Sequence, residues 1–147
     1  MFKHILVPTD GSELSQKAIR SAAILARENG ARLTVFHARP ELRMPFYDEY
    51  IRIENDMWKE CARLAEEEAR RYLDDGLRIC RQEGIEATTL AEDCDLTHQG
   101  IIDAATTNDC DLIFMASHGH RGLSALLLGS ETNKVLTHSK IPVLVYR

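Results

Sequence analysis

One feature constrains the fold of this chain above all others: short, continuous apolar stretches take turns with longer segments of helical period. Ile5-Leu6-Val7 and the "DLIFMAS" stretch of Asp111 to Ser117 hold apolar residues side by side. A strand reads this way when both of its faces are covered. Between them, Leu14, Ala18, Ala22, Leu25 and Ala26 recur at the spacing of one helix face. Strands alternating with helices imply a parallel sheet joined by right-handed crossovers. The expected fold class is a three-layer α/β/α arrangement, Rossmann-like, with a five-stranded parallel sheet of order 3-2-1-4-5.

The boundaries follow from local signals. Ser12 is a good N-cap for the first helix, and Asn29-Gly30 ends it. Arg32 to Ala38, rich in β-branched and aromatic residues, reads as the second strand. Pro40 to Asp48 holds two prolines and no clear period, an irregular excursion. A long helix is expected from about Glu54 to Glu83, with Trp58, Ala62, Ala65, Ala69, Tyr72 and Ile79 along its core face. Glu66–Arg70 and Glu67–Arg71 are i,i+4 pairs on its wet side. Ile85 to Ala91 is expected as the third strand, and Asp95 or Thr97 as the cap of a short helix carrying Ile101, Ala104 and Ala105. Ser130 to His138 reads as the last helix and Ile141 to Arg147 as the last strand. No Pro/Gly/Ser-rich linker, repeat or low-complexity block divides residues 1–147, so they are read as one domain.

Composition removes several classes of function. A formal net charge of -5 gives no basic footprint for nucleic acid. No apolar run approaches the roughly 20 residues of a membrane span, and the Ile5-Leu6-Val7 run that follows Met1-Phe2-Lys3-His4 is too short for the apolar core of a signal peptide. Cys61, Cys80, Cys94 and Cys110 form no CxxC pair and match no zinc spacing, so they read as reduced thiols of a cytoplasmic protein. His4, His37, His98 and His138 are scattered and read as structural or surface residues.

In a sheet of order 3-2-1-4-5 a crevice opens between the first and fourth strands, at their carboxyl ends, and ligands bind there. Two loops meet at that point: Pro8-Thr9-Asp10-Gly11-Ser12, and the loop that starts Ala116-Ser117-His118-Gly119. Gly119 lets the backbone turn tightly and come close to a ligand. Gly129-Ser130 stands where a helix offers free N–H groups and the positive end of its dipole. Together they can cradle a phosphate chain with main-chain donors. Ordinary turn and capping chemistry explains the same residues equally well. Leu123, Leu126, Leu127 and Leu128 would pin the intervening loop to the protein. The chain has no GxxxxGK[ST] motif, and its first βα turn is "PTDGS" rather than GxGxxG.

From end to end the chain resembles a universal stress protein. The resemblance is carried by "ILVPTDGSELSQKA", "DLIFMASHG" and "LLLGSETNKVLTHSKIPVLV". Nucleotide-binding members of that family carry Gly, two residues, Gly, nine residues, then Gly and Ser or Thr. Here the second glycine is Gly119, and nine residues separate it from Gly129-Ser130; the first falls on Ala116. The resemblance implies ATP as ligand, or AMP or ADP, with Pro8, Thr9 and Asp10 at the adenosine end and Ala38 and Met115 bordering the adenine. Asp10 can accept hydrogen bonds from base or ribose, or close an Asx turn. Glu131 favours the helix dipole but repels a neighbouring phosphate, which Arg121, His118 and His120 could offset. Mg²⁺ would arrive with the nucleotide, held largely by phosphate and water; the HxH pair His118 and His120 has no partner ligands at matching spacing for a metal of its own.

The resemblance further implies a homodimer through the edge strand Val143–Tyr146, with Pro142 tolerated at its start. The expected function is a nucleotide-responsive regulatory dimer of the stress response, not an enzyme. Two alternatives stand beside it: a nucleotide-free dimeric interaction module, and a slow ATP hydrolase, for which no water-activating base is evident.

Overall fold

The computed structural model describes residues 1–42, 51–120 and 127–147, the side chains of 51–55 excepted. Arg121, Leu123 and Leu126, and residues 43–48 of the expected excursion, lie outside the described residues. The elements run β1 (His4–Pro8), α1 (Glu13–Asn29), β2 (Arg32–Pro40), α2 (Ile51–Gln82), β3 (Thr88–Cys94), α3 (Thr97–Thr107), β4 (Leu112–Ala116), α4 (Ser130–His138) and β5 (Val143–Tyr146). The strands form one sheet of order β3-β2-β1-β4-β5, and every pairing is parallel. The expected fold class and strand order are therefore observed.

Each buried strand feeds two cores because its side chains alternate between faces. Ile5, Val7, Leu33, Val35, Leu112 and Phe114 pack on one face against α1 and α2. Leu6, Phe36, Ile113 and Met115 pack on the other against Ile101, Ala104 and Ala105 of α3 and Val135 of α4. The small stripe Ala18, Ala22, Ala23 and Ala26 is wholly buried, which lets α1 lie close on the sheet. Ser12 caps α1 by accepting from the Ser15 amide, and Gly30 closes it in the left-handed conformation at φ 64°.

Several expectations are corrected. β3 begins at Thr88, three residues after the expected Ile85. The Ile85 amide is spent on the Cys80 carbonyl, and Ile85 and Ala87 pack on the core as part of the connection. α3 has Leu96, not Asp95 or Thr97, at its N-cap position, and Leu96 makes no side-chain cap bond. Trp58 is 37% exposed instead of core, with its indole N–H on the Leu42 carbonyl at 3.4 Å. Glu67 pairs with Arg63 and not with Arg71, which reaches Glu68. Leu127, expected to pin a loop, is 75% exposed.

Candidate functional site

The carboxyl ends of β1, β2 and β4 surround a cleft of about 490 Å³. Its shape starts with the β1–α1 turn. The Thr9 amide donates to the Phe36 carbonyl at 2.8 Å, which continues the strand pairing one residue past β1. The Thr9 hydroxyl accepts from the Gly11 amide at 3.1 Å and bonds the Ser15 hydroxyl at 3.0 Å. Gly11 sits at φ 79°, with the Tyr72 ring where a Cβ would stand, so the turn admits only glycine for two separate reasons.

Asp10 ties the two loops together. Its Oδ1 accepts from the Ser12 amide at 3.0 Å, and its Oδ2 accepts from the His120 amide at 2.9 Å, 110 residues away. Burial works to raise the carboxyl, but the Ser12 hydroxyl and amide and the His120 amide outweigh it and hold Asp10 below its ordinary value. A Cβ on Gly119 would collide with Asp10 Oδ2. The glycine at this position therefore makes room for the carboxylate of the opposite loop.

The second loop leaves and returns at one point. The Gly129 amide donates to the Ser117 carbonyl at 2.7 Å, and the Thr132 hydroxyl donates to the Ala116 carbonyl at 2.9 Å. A Cβ on Gly129 would stand 3.1 Å from His118 Cα and 3.2 Å from the Ser117 carbonyl oxygen. The first turn of α4 is thus clamped onto the end of β4. Gly129 is its N-cap, with no side-chain cap bond. The first-turn amides of Ser130, Glu131 and Thr132 have no intrahelical partner, and all three residues line the cleft.

Glu131 also lines the cleft, yet its carboxylate serves another helix. Oε2 accepts from the His98 amide at 2.8 Å, capping α3 from across the interface, and Oε1 takes Lys134 at 3.2 Å. Burial works to raise its carboxyl, and Lys134 together with the His98 amide outweighs that and lowers it. His98 Nδ1 stands 3.3 Å from Oε2, but the alignment is not that of a hydrogen bond, and this buried atom has no other partner among the described residues.

Pro8, Thr9, Asp10, Ala38, Met115, Ala116, Gly119, Gly129, Ser130 and Glu131 all line this one cleft. Of the residues expected there, Arg121 lies outside the described residues. Ser15, His37, Thr97, Ile101 and Thr132 line it as well and were not expected. Topology was the available signal for Thr97 and Ile101: α3 starts from the carboxyl edge of the sheet, beside the same crevice. His37, one of the scattered histidines of the sequence, has a defined place here. Its Nδ1 donates to the Thr9 carbonyl at 2.8 Å, and its ring meets Tyr72 edge-on at 5.3 Å. Ala38, Ile101 and Met115 supply apolar wall, while the α4 amides supply donors for an anion. No group of three His, Cys, Asp or Glu side chains able to hold a metal occurs among the described residues.

A family model described as the Universal stress protein family matches residues 1–147. A universal stress protein of Thermus aquaticus, described as in the QAH/OAS sulfhydrylase 3'region, is 32% identical over 156 residues, covering 100% of each chain. Among solved structures, MJ0577 of Methanocaldococcus jannaschii matches with a TM-score of 0.79 at 26% identity, covering 99% of this chain and 95% of that one. A universal stress protein from Archaeoglobus fulgidus in complex with dAMP matches with a TM-score of 0.70 at 22% identity, covering 99% and 98%.

Proposed function

Because the chain belongs to the universal stress protein family, we propose that its cleft binds an adenine nucleotide, ATP or AMP, and that binding serves regulation rather than catalysis. The observation that carries this reading is the convergence of three distant segments on one cleft: the Thr9–Asp10 turn, the bend at Gly119 and the open first turn of α4. A relative of the same fold is described in complex with dAMP, which supports the adenine assignment.

In this reading the phosphates lie on the Ser130, Glu131 and Thr132 amides, where free N–H groups and the helix dipole favour an anion. Ala38, Ile101 and Met115 form the apolar wall for the base. Asp10 and Gly119 set the distance between the two loops. Both Asp10 oxygens already accept amides, so Mg²⁺ accompanying ATP would be held by phosphate oxygens and water. Asp10 is committed to the loops through both oxygens and is not free to activate water, so binding rather than hydrolysis is the proposed role.

β5 ends the sheet beside β4, with Leu144 38% exposed on it. An apolar edge of this kind invites antiparallel pairing with the same strand of a second copy, and the proposed working form is a cytoplasmic homodimer. No described helix is long and apolar enough to cross a membrane. A second reading, a nucleotide-free interaction module, draws on Asp10: its closing of the two loops on each other needs no ligand. Isothermal titration with AMP and with ATP decides between them. Saturable binding at micromolar ligand supports the first, and no heat from a folded chain at millimolar ligand leaves the second.

A further inference from the structure

Among the described residues, the lining of the cleft includes two acidic residues, Asp10 and Glu131, and no Lys or Arg. The two acids are placed differently. Asp10 is half-buried between the loops, and its charge is stabilised by amide donors on both oxygens. Glu131 belongs to the α4 first turn itself, so an anion on those amides lies within a few ångströms of an acidic residue. Its side chain cannot swing away freely, because Oε2 caps α3 through the His98 amide. Lys134 offsets the charge only in part, being half exposed to water.

Resting on the nucleotide reading above, we propose that Glu131 is a specificity-determining residue that sets how much phosphate charge the cleft accepts, favouring a nucleoside monophosphate over the triphosphate. The carboxylate belongs to a first-turn residue and is held by the His98 amide, so it stays inside the ~8 Å over which charges interact at physiological salt. Every further negative charge on the ligand meets the same fixed anion, while base and ribose contacts are common to both ligands. Discrimination therefore grows with phosphate number and leaves the adenosine end unaffected.

The test is titration of wild type and Glu131→Gln with AMP and ATP in metal-free buffer. Glutamine keeps a carbonyl oxygen for the His98 amide, removes the charge and gives up the exposed Lys134 ion pair. The expected result is tightening for ATP by about fivefold or more and for AMP by about twofold or less, with the difference shrinking in 0.5 M salt. Equal shifts for both ligands, or no tightening for ATP, would overturn the proposal while leaving the nucleotide reading intact. Absence of binding of either ligand to wild type would overturn both. If Glu131→Gln fails to fold in a thermal scan, Lys134→Gln exposes the same carboxylate: ATP must then weaken more than AMP, and equal weakening overturns the proposal.

Discussion

At the amino end of the sheet, His4 donates through Nδ1 to the Asn108 carbonyl at 3.0 Å and accepts through Nε2 from the Thr34 hydroxyl at 2.8 Å. Thr34 in turn bonds Thr88 at 2.8 Å, and Asp111 accepts the Lys3 and His4 amides. At the carboxyl end, the first turn of α4 reaches a cleft with no side-chain cap from its N-cap residue, Gly129. Both ends bring polar groups together from distant segments. One end closes its hydrogen bonds within the protein and spends them on holding strands in register. The other braces its loops equally well, through Asp10, but among the described residues leaves the first-turn amides of α4 without a partner. Polarity alone does not mark a binding site; donors braced by the fold and left without partners do.

The strongest way to break this contrast is at Gly119. Gly119→Val drives a side chain into the Asp10 carboxylate, so nucleotide affinity falls by about a hundredfold or more. Titration calorimetry reads the loss; affinity unchanged from wild type would show that the two loops need not meet. The counterpart at the other end is His4→Leu, which takes the ring's bond from the Asn108 carbonyl and leaves the Thr34 hydroxyl with Thr88 alone. It lowers stability by about 2 kcal/mol in urea unfolding and leaves nucleotide affinity at the wild-type value. A loss of binding there would mean that the two ends are coupled.

How much of this could be read in advance differs from segment to segment. β1 and β4 were legible because a strand covered on both faces must be continuously apolar, and α1 because Ser12 and Gly30 are local caps. β3 was misplaced because it is an edge strand that tolerates the polar run Glu92–Asp93, with Asp93 held by Arg39 at 2.9 Å. The cap of α3 comes from Glu131, 33 residues from the amide it serves, a distance no local signal spans. The two glycines of the cleft were legible as positions but not as causes. Gly119 answers to Asp10, and Gly129 to His118 and Ser117, both of which are tertiary contacts.

Smaller effects come from pH. Burial, with Arg32 nearby, holds His4 below its ordinary value of 6.5. The unfolded chain therefore takes up a proton first as pH falls, and stability drops from about pH 6.5 down to the folded value of this ring. Subtracting the His4→Leu curve from that of wild type isolates this slope; parallel curves would show that the ring titrates alike in both states. Asp10 works in the other direction. Its carboxyl is lowered from 3.8, so its contribution is complete above that pH and is lost as pH falls through the lower folded value. Asp10→Asn keeps one acceptor of two, costs about 1 kcal/mol near neutrality, and flattens that acid limb in a thermal-unfolding series.

Amide chemical shifts, followed by ¹⁵N-correlated NMR during titration with AMP, test the contrast between the two ends most directly. Saturable shifts at Gly119, Ser130, Glu131 and Thr132, with His4, Thr34 and Asp111 unmoved, are the expected result. Static amides at the start of α4 under saturating nucleotide, or shifts spread evenly over both ends of the sheet, would contradict it.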